Sequence, residues 1–204
     1  MNQEVIVIGA GGHGKVVADI VRSSGDTVLG FLDDGRTAGD TVCGMPVLGG
    51  VEDYVNFLDA KFVVGIGGAN ARRSIVQKLK NVRWYTAVHP SAVISAMDTH
   101  IGEGSVIMAG AIINPCATVG KHCIVNTGSS IDHDNRIGDY THISVGARLA
   151  GTVTVGENVW VGIGATVSNG ISVCDDCMIG AGAVVVRSIM EPGTYVGVPA
   201  RKIK

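Results

Sequence analysis

The sequence predicts an α/β, Rossmann-like domain of βαβ units followed by a parallel β-helix, and three observations carry that reading. From Ile101 an aliphatic residue recurs at every sixth position fifteen times, through Ile107, Ile113, Val119, Val125, Ile131, Ile137, Ile143, Leu149, Val155, Val161, Val167, Val173 and Ile179 to Val185. Ile, Leu and Val make up only about a quarter of the chain, so a fixed structural period is needed to produce the run. Six is the period of neither a helix nor a strand. It fits a chain coiling round a triangular prism, with one inward aliphatic per face. Second, Gly102, Gly120, Gly138 and Gly156 recur every eighteen residues, which places them on one edge of successive three-faced coils. Third, strand-like and helix-like segments alternate over the first 82 residues, the pattern of a parallel sheet.

The elements follow in order. Val5–Ile8 is a short apolar strand ending in Gly9-Ala10-Gly11-Gly12-His13-Gly14. Lys15–Arg22 has helical spacing of Val16, Val17, Ile20 and Val21. Val28–Leu32 is a second strand closed by Asp33-Asp34, and Val47–Gly50 leads into a helix at Val51–Leu58. Lys61–Ile66 is a third strand ending in Gly67-Gly68, and Ala71–Leu79 a further helix. The expected organisation is a nucleotide-binding domain over residues 1–83, a linker and first partial coil over 84–100, the β-helix over 101–186 and a cap over 187–204. The six-residue period starts weakly near Val93 and is disturbed around Met97–His100. Residues two before each aliphatic are mostly small (Ser105, Ala111, Ala117, Cys123, Ser129, Thr141, Ala147, Ala165, Ala183) and suit a narrow interior.

Composition bounds the function. The 204 residues are 46% hydrophobic and 17% charged, a globular balance, and a formal net charge of −2 gives no basic field for nucleic acid or an anionic membrane. The apolar run Val5–Ala10 is too short for a signal peptide or membrane span, so a cytoplasmic protein with reduced thiols is expected. Cys174 and Cys177 form a C-x-x-C, but Cys177 falls on a small inward position and a second ligand pair is missing, so no metal is expected.

Gly9-x-Gly11-x-x-Gly14 follows a strand and opens a helix, where free N–H groups hold phosphate. Asp33 and Asp34 end the second strand, where a ribose-binding acid belongs. About 80 residues make only half a dinucleotide fold, which suits a mononucleotide or nucleotide-sugar better than NAD. His13 either reaches a phosphate or sugar or is an exposed loop residue. In the repeat, the polar run Ser129–Asn135 contains His133 beside Asp134, an imidazole with a carboxylate to orient it, as a general base needs. His142 faces out half a coil away and Asn126 lies near the same face. His89, His100 and His122 have no such company and read as surface residues.

These residues together resemble a known family. The six-residue repeat, Gly151-Thr152-Val153 and the closing Gly197-Val198-Pro199-Ala200-Arg201 are similar to the left-handed β-helix, hexapeptide-repeat acyltransferases. The glycine loop, Phe31-Leu32-Asp33-Asp34, Gly65-Ile66-Gly67, His89-Pro90-Ser91-Ala92 and Asn126-Thr127 resemble the sialic acid O-acetyltransferase family, which includes nucleotide-amino-sugar N-acetyltransferases of bacillosamine and perosamine type. The resemblance implies a left-handed coil, against the usual right-handed crossover. It implies His133 as general base with Asp134 behind it, and His142, Gly151, Ile163 and Ala181 along acetyl-CoA, with Gly151 N–H as oxyanion donor. It implies Gly11, Gly12, His13, Asp33, Asp34 and Gly67 at a nucleotide-sugar, and a homotrimer with the site between subunits. The implied reaction is acetyl transfer from acetyl-CoA to the 4-amino group of a UDP-4-amino-4,6-dideoxy sugar. Alternatives are a GDP- or dTDP-linked amino sugar and O-acetylation of sialic acid or another surface-polysaccharide sugar. From other classes, a non-catalytic nucleotide-sensing scaffold and an NAD-dependent oxidoreductase remain.

Overall fold

The computed structural model describes residues 2–204, which divide into two compact units at Pro90/Ser91. In the first unit, β1 (Glu4–Ile8), β2 (Thr27–Leu32), β3 (Thr41–Val42), β4 (Met45–Gly49), β5 (Lys61–Val64) and β6 (Arg83–Trp84) form one sheet of order β3-β4-β2-β1-β5-β6. All neighbours are parallel except the β3–β4 hairpin, whose two-residue loop Cys43-Gly44 takes positive φ at both positions. Helix α1 (Gly12–Ser23) buries Gly14, Val17, Ala18 and Val21, one face at helical spacing. Helix α2 (Ala69–Lys78) follows β5. The segment expected as a helix at Val51–Leu58 is a 3₁₀ helix, Val51–Phe57, too short for more than its two buried anchors Val51 and Tyr54. Ile6, Ile8, Leu32, Tyr54, Phe62 and Leu79 pack as one apolar cluster. The chain leaves β1 to one side and returns to β5 on the other, so β1 and β5 flank the sheet's switch point.

The second unit is the left-handed β-helix, three walls of two-residue strands stacked in parallel. The first wall includes Ile124–Val125, His142–Ile143 and Trp160–Val161. The second includes Ile112–Ile113, Ser130–Ile131 and Arg148–Leu149. The third includes Thr118–Val119, Arg136–Ile137 and Thr154–Val155. Strands pair with the residue eighteen positions on, as in Ser130↔Arg148 and His142↔Trp160. From Ile107 to Val185 the periodic aliphatics are at most 4% exposed, and the small residues two before them are buried beside them.

The first coil breaks the register. Val93 and Ile94 pair with Ile112 and Ile113, nineteen residues on, whereas His100 pairs with Thr118 at the usual eighteen. Cys116 N–H donates to Met97 O, the bond that Asp134 N–H makes to Pro115 O one coil later. The extra residue therefore lies between Ile94 and Met97, ahead of the disturbed stretch read from the sequence.

Among the polar interior residues Asn135 carries an amide. Asn135 is fully buried, and its amide donates to Asp132 O (2.6 Å) and Ala150 O (3.0 Å) while accepting Val153 N–H (3.2 Å). It closes backbone groups that water cannot reach. Asn135→Ala is expected to cost about 2–3 kcal/mol by orphaning them, measured as a lower urea midpoint with unchanged m-value.

Candidate active site

Each corner of the prism needs one residue in the left-handed region. Between the second and third walls that column is Cys116, Asp134 and Thr152, with φ near 60°. Asp tolerates this conformation better than most residues. Asp134 Oδ2 lies 2.7 Å from His133 Nδ1. A carboxylate only accepts, so Nδ1 carries the proton and Nε2 is left as the basic lone pair. The Asp134 hydrogen bond raises the His133 pKa above the ordinary 6.5; desolvation opposes it, and the charges of Asp132 and Asp134 add to it.

Gly151 sits one coil below. A Cβ there would fall 2.5 Å from His133 Nε2, so the imidazole lies directly over the glycine's Cα. Among the described residues the buried Gly151 N–H donates to no protein acceptor. A basic nitrogen and an amide with no protein acceptor thus lie one coil apart on the same corner.

A second cluster lies on the first wall. Thr127 N–H donates to Asn126 Oδ1 at 2.8 Å, which turns the Asn126 NH₂ toward His142 Nε2 at 2.9 Å. His142 Nε2 is therefore an acceptor and its other nitrogen carries the proton. The ring is buried, 4.8 Å from the Trp160 ring. Ile163, 61% exposed, and Ala181 follow on the adjoining corner, one coil apart. Within one chain the structure joins His133, Asp134 and Gly151, and separately Asn126 and His142; the second wall lies between these two clusters.

In the first unit the glycines divide by role. Gly9 has φ +98°, and a Cβ on Gly14 or Gly65 would fall 1.9 Å from Gly9 O or 2.6 Å from Gly14 Cα, so these three serve close packing. Gly11, Gly12, Gly67 and Gly68 have ordinary φ and open space where a Cβ would be, so the fold itself does not require glycine there. They flank the switch point, and α1 has no side-chain N-cap. His13 is half-buried in the first turn of α1, and burial, then the Arg72 charge, lowers its pKa to about 4, so it is neutral at pH 7. Asp33 accepts Ala10 N–H (2.6 Å) and Gly35 N–H (2.8 Å), and Asp34 accepts Val51 N–H (2.7 Å), so both tie loops together.

Arg72 was not visible as a functional residue in the sequence. It is 1% exposed and donates to Gly67 O at 2.6 Å. Its signal is a charged side chain on the α2 face shared with Ile75 and Leu79. His122, read as a surface residue, is 3% exposed and stacks on Tyr140, because its corner lies against Gly104, which leaves room for the ring. His100 is exposed but has a carboxylate neighbour, Asp98, at 3.1 Å. Cys174 and Cys177 are free thiols 3.5 Å apart, and burial pushes the Cys177 thiol up to about 12. Among the described residues no three His, Cys, Asp or Glu side chains converge on a metal position, and no helix is long and apolar enough to cross a membrane.

Residues 4–79 match the PglD N-terminal domain, and residues 98–133 and 152–187 match the bacterial transferase hexapeptide repeats. The acetyltransferase domain of PglB from Neisseria gonorrhoeae is 36% identical, with a TM-score of 0.92 over 99% of this chain and 100% of its own. The chain belongs to the hexapeptide-repeat acetyltransferases with a PglD-type N-terminal domain. Another member, PerB from Caulobacter crescentus in complex with CoA and GDP-perosamine, is 36% identical, with a TM-score of 0.92 over 98% of this chain and 97% of its own. The UDP-N-acetylbacillosamine N-acetyltransferase of Bacillus subtilis is 38% identical over 121 residues, 52% of each chain. The chain thus spans about half, or less, of the curated sequence relatives it matches. The Neisseria domain has also been solved with acetyl coenzyme A.

For a member of this family the Gly151 contact has a direct consequence. Gly151→Ala is expected to push the His133 ring aside and lower kcat about 10²-fold, with little change in melting temperature because the displaced ring is exposed. Steady-state kinetics with thermal melting checks both halves.

Proposed function

We propose that this protein transfers acetyl from acetyl-CoA to the 4-amino group of a UDP-4-amino-4,6-dideoxy sugar, as a cytoplasmic homotrimer whose sites form between subunits. The observation that carries the reading is His133 Nε2 poised over Gly151, with Asp134 behind it. The sugar's amine attacks the thioester carbonyl; a C–N bond forms and the C–S bond breaks. His133 Nε2 takes the amine proton, which a general base supplies at about 10²–10⁴ in rate. Gly151 N–H donates to the oxyanion, on the order of 3 kcal/mol. CoA leaves as a thiolate and takes the proton from the His133 imidazolium, which restores the base.

The separation of the Asn126–His142 cluster from His133 within one chain supports the intersubunit site, since the two halves would then be completed by a neighbouring copy. Gly11, Gly12, His13 and Gly67, open at the switch point, would take the nucleotide diphosphate at the N-terminus of α1. The GDP-perosamine complex of PerB favours a second reading, a GDP-linked 4-amino sugar, with the same chemistry.

The test is thiol release from acetyl-CoA against UDP-, GDP- and dTDP-4-amino-dideoxy sugars and free and CMP-linked sialic acid. Turnover is expected on the UDP sugar, falling about 10²–10⁴-fold in His133→Ala. Turnover on sialic acid alone would overturn N-acetylation, and near-normal activity in His133→Ala would overturn the base.

A further inference from the structure

We propose that Asn114 and Asp132 form a positioning pair that fixes the His133 backbone and so aims its imidazole, a role that rests on His133 being the base. Asp132 Oδ1 accepts two hydrogen bonds, each 2.8 Å: one from Asn114 Nδ2 one coil earlier, one from the His133 N–H. The donors are unambiguous, because a carboxylate only accepts and a peptide N–H only donates; the Asn114 amide must present its NH₂.

The rest of the turn is held from both sides. Asn114 N–H bonds to Ile131 O (3.0 Å), Asp132 N–H to Leu149 O (3.1 Å) and Thr152 N–H to His133 O (2.9 Å). Asn135 grips Asp132 O from inside. His133 itself is an exposed side chain on a corner, so its aim depends on how firmly its backbone is held. Asp134 sets the ring's rotation, whereas Asn114 and Asp132 set where the ring is attached.

The pair also carries charge. The Asn114 bond, then the His133 N–H bond, hold the Asp132 carboxyl below the usual carboxylate range, so it is ionised at neutral pH beside the imidazole. Asp132 and Asp134 on its own turn act on the His133 charge; Asp98, His100 and Cys116 line the cleft that Asp134 borders, and Gly151 and Thr152 below carry no titratable group. Arg136 lines the same cleft.

The two contributions separate by mutation. Asn114→Asp sets two carboxylates against each other and is expected to lower kcat about tenfold or more, with KM for acetyl-CoA within about twofold. Asp132→Asn keeps both hydrogen bonds through its amide oxygen and removes only the charge. It is expected to retain kcat within about threefold and to move the acid limb of the kcat/KM profile to lower pH. Asn114→Ala removes the donor and leaves the Asp132–His133 bond, and is expected to lower kcat less than Asn114→Asp does, again with KM for acetyl-CoA within about twofold. Melting temperatures are recorded for all variants. Full activity in Asn114→Asp, or an Asn114→Ala variant slower than Asn114→Asp, would overturn the pair. If His133→Ala stays active, the base reading fails instead; if His133→Ala is inactive while Asn114→Asp is fully active, only the positioning role fails.

Discussion

The vertical stacking of residues eighteen apart is the constraint on which the rest depends. Parallel strands of neighbouring coils are about 4.8 Å apart, and their backbone bonds fix each residue above its counterpart in the next coil. The side chain at each corner is therefore addressed by the corners above and below it. His133 lies over Gly151, and Asn114 lies over Asp132, because both pairs are one coil apart. Asn135 fills the lumen beneath the same turn and bonds down to Ala150.

This stacking allows an exposed histidine to act from a fixed place. His133 is half in solvent, yet its backbone, ring orientation and underlying surface are each held by a separate contact. The glycine matters for what it omits, since any side chain there would occupy the space of the ring. The opposite case is Asn126 and the buried His142, where a donor–acceptor chain starting at Thr127 N–H sets which ring nitrogen accepts. The first unit uses the same economy, with glycines that pack the β1–α1–β5 junction tightly and others left open beside it.

The β-helix was legible because its period is enforced on every face by one buried aliphatic, and the corner positions of His133 and Asp134 and the wall position of His142 followed from counting. The parallel sheet was legible from apolar runs ending in glycine. What the sequence hid was relational. The irregular coil reads as disturbed at Met97–His100, but the inserted residue lies earlier, since register is set by pairing with Ile112–Ile113. His122 is buried because residue 104 is glycine, a contact between coils. Arg72 is buried although charged, held by carbonyls of the loop after β5. Asp33 and Asp34, read as ligand acids, also accept backbone N–H groups of the neighbouring loops, a structural role that spacing does not reveal.

The central claim is that His133, made more basic by Asp134, accepts the proton. A raised folded-state pKa means the ring stays protonated, and the base inactive, up to a pH above the ordinary 6.5. The most direct measurement is the pH profile of kcat/KM for the wild type and Asp134→Asn. The account predicts an acid limb above pH 6.5 in the wild type that moves to lower pH, with a reduced plateau, in the variant. An acid limb that stays in place when Asp134 is changed would contradict it.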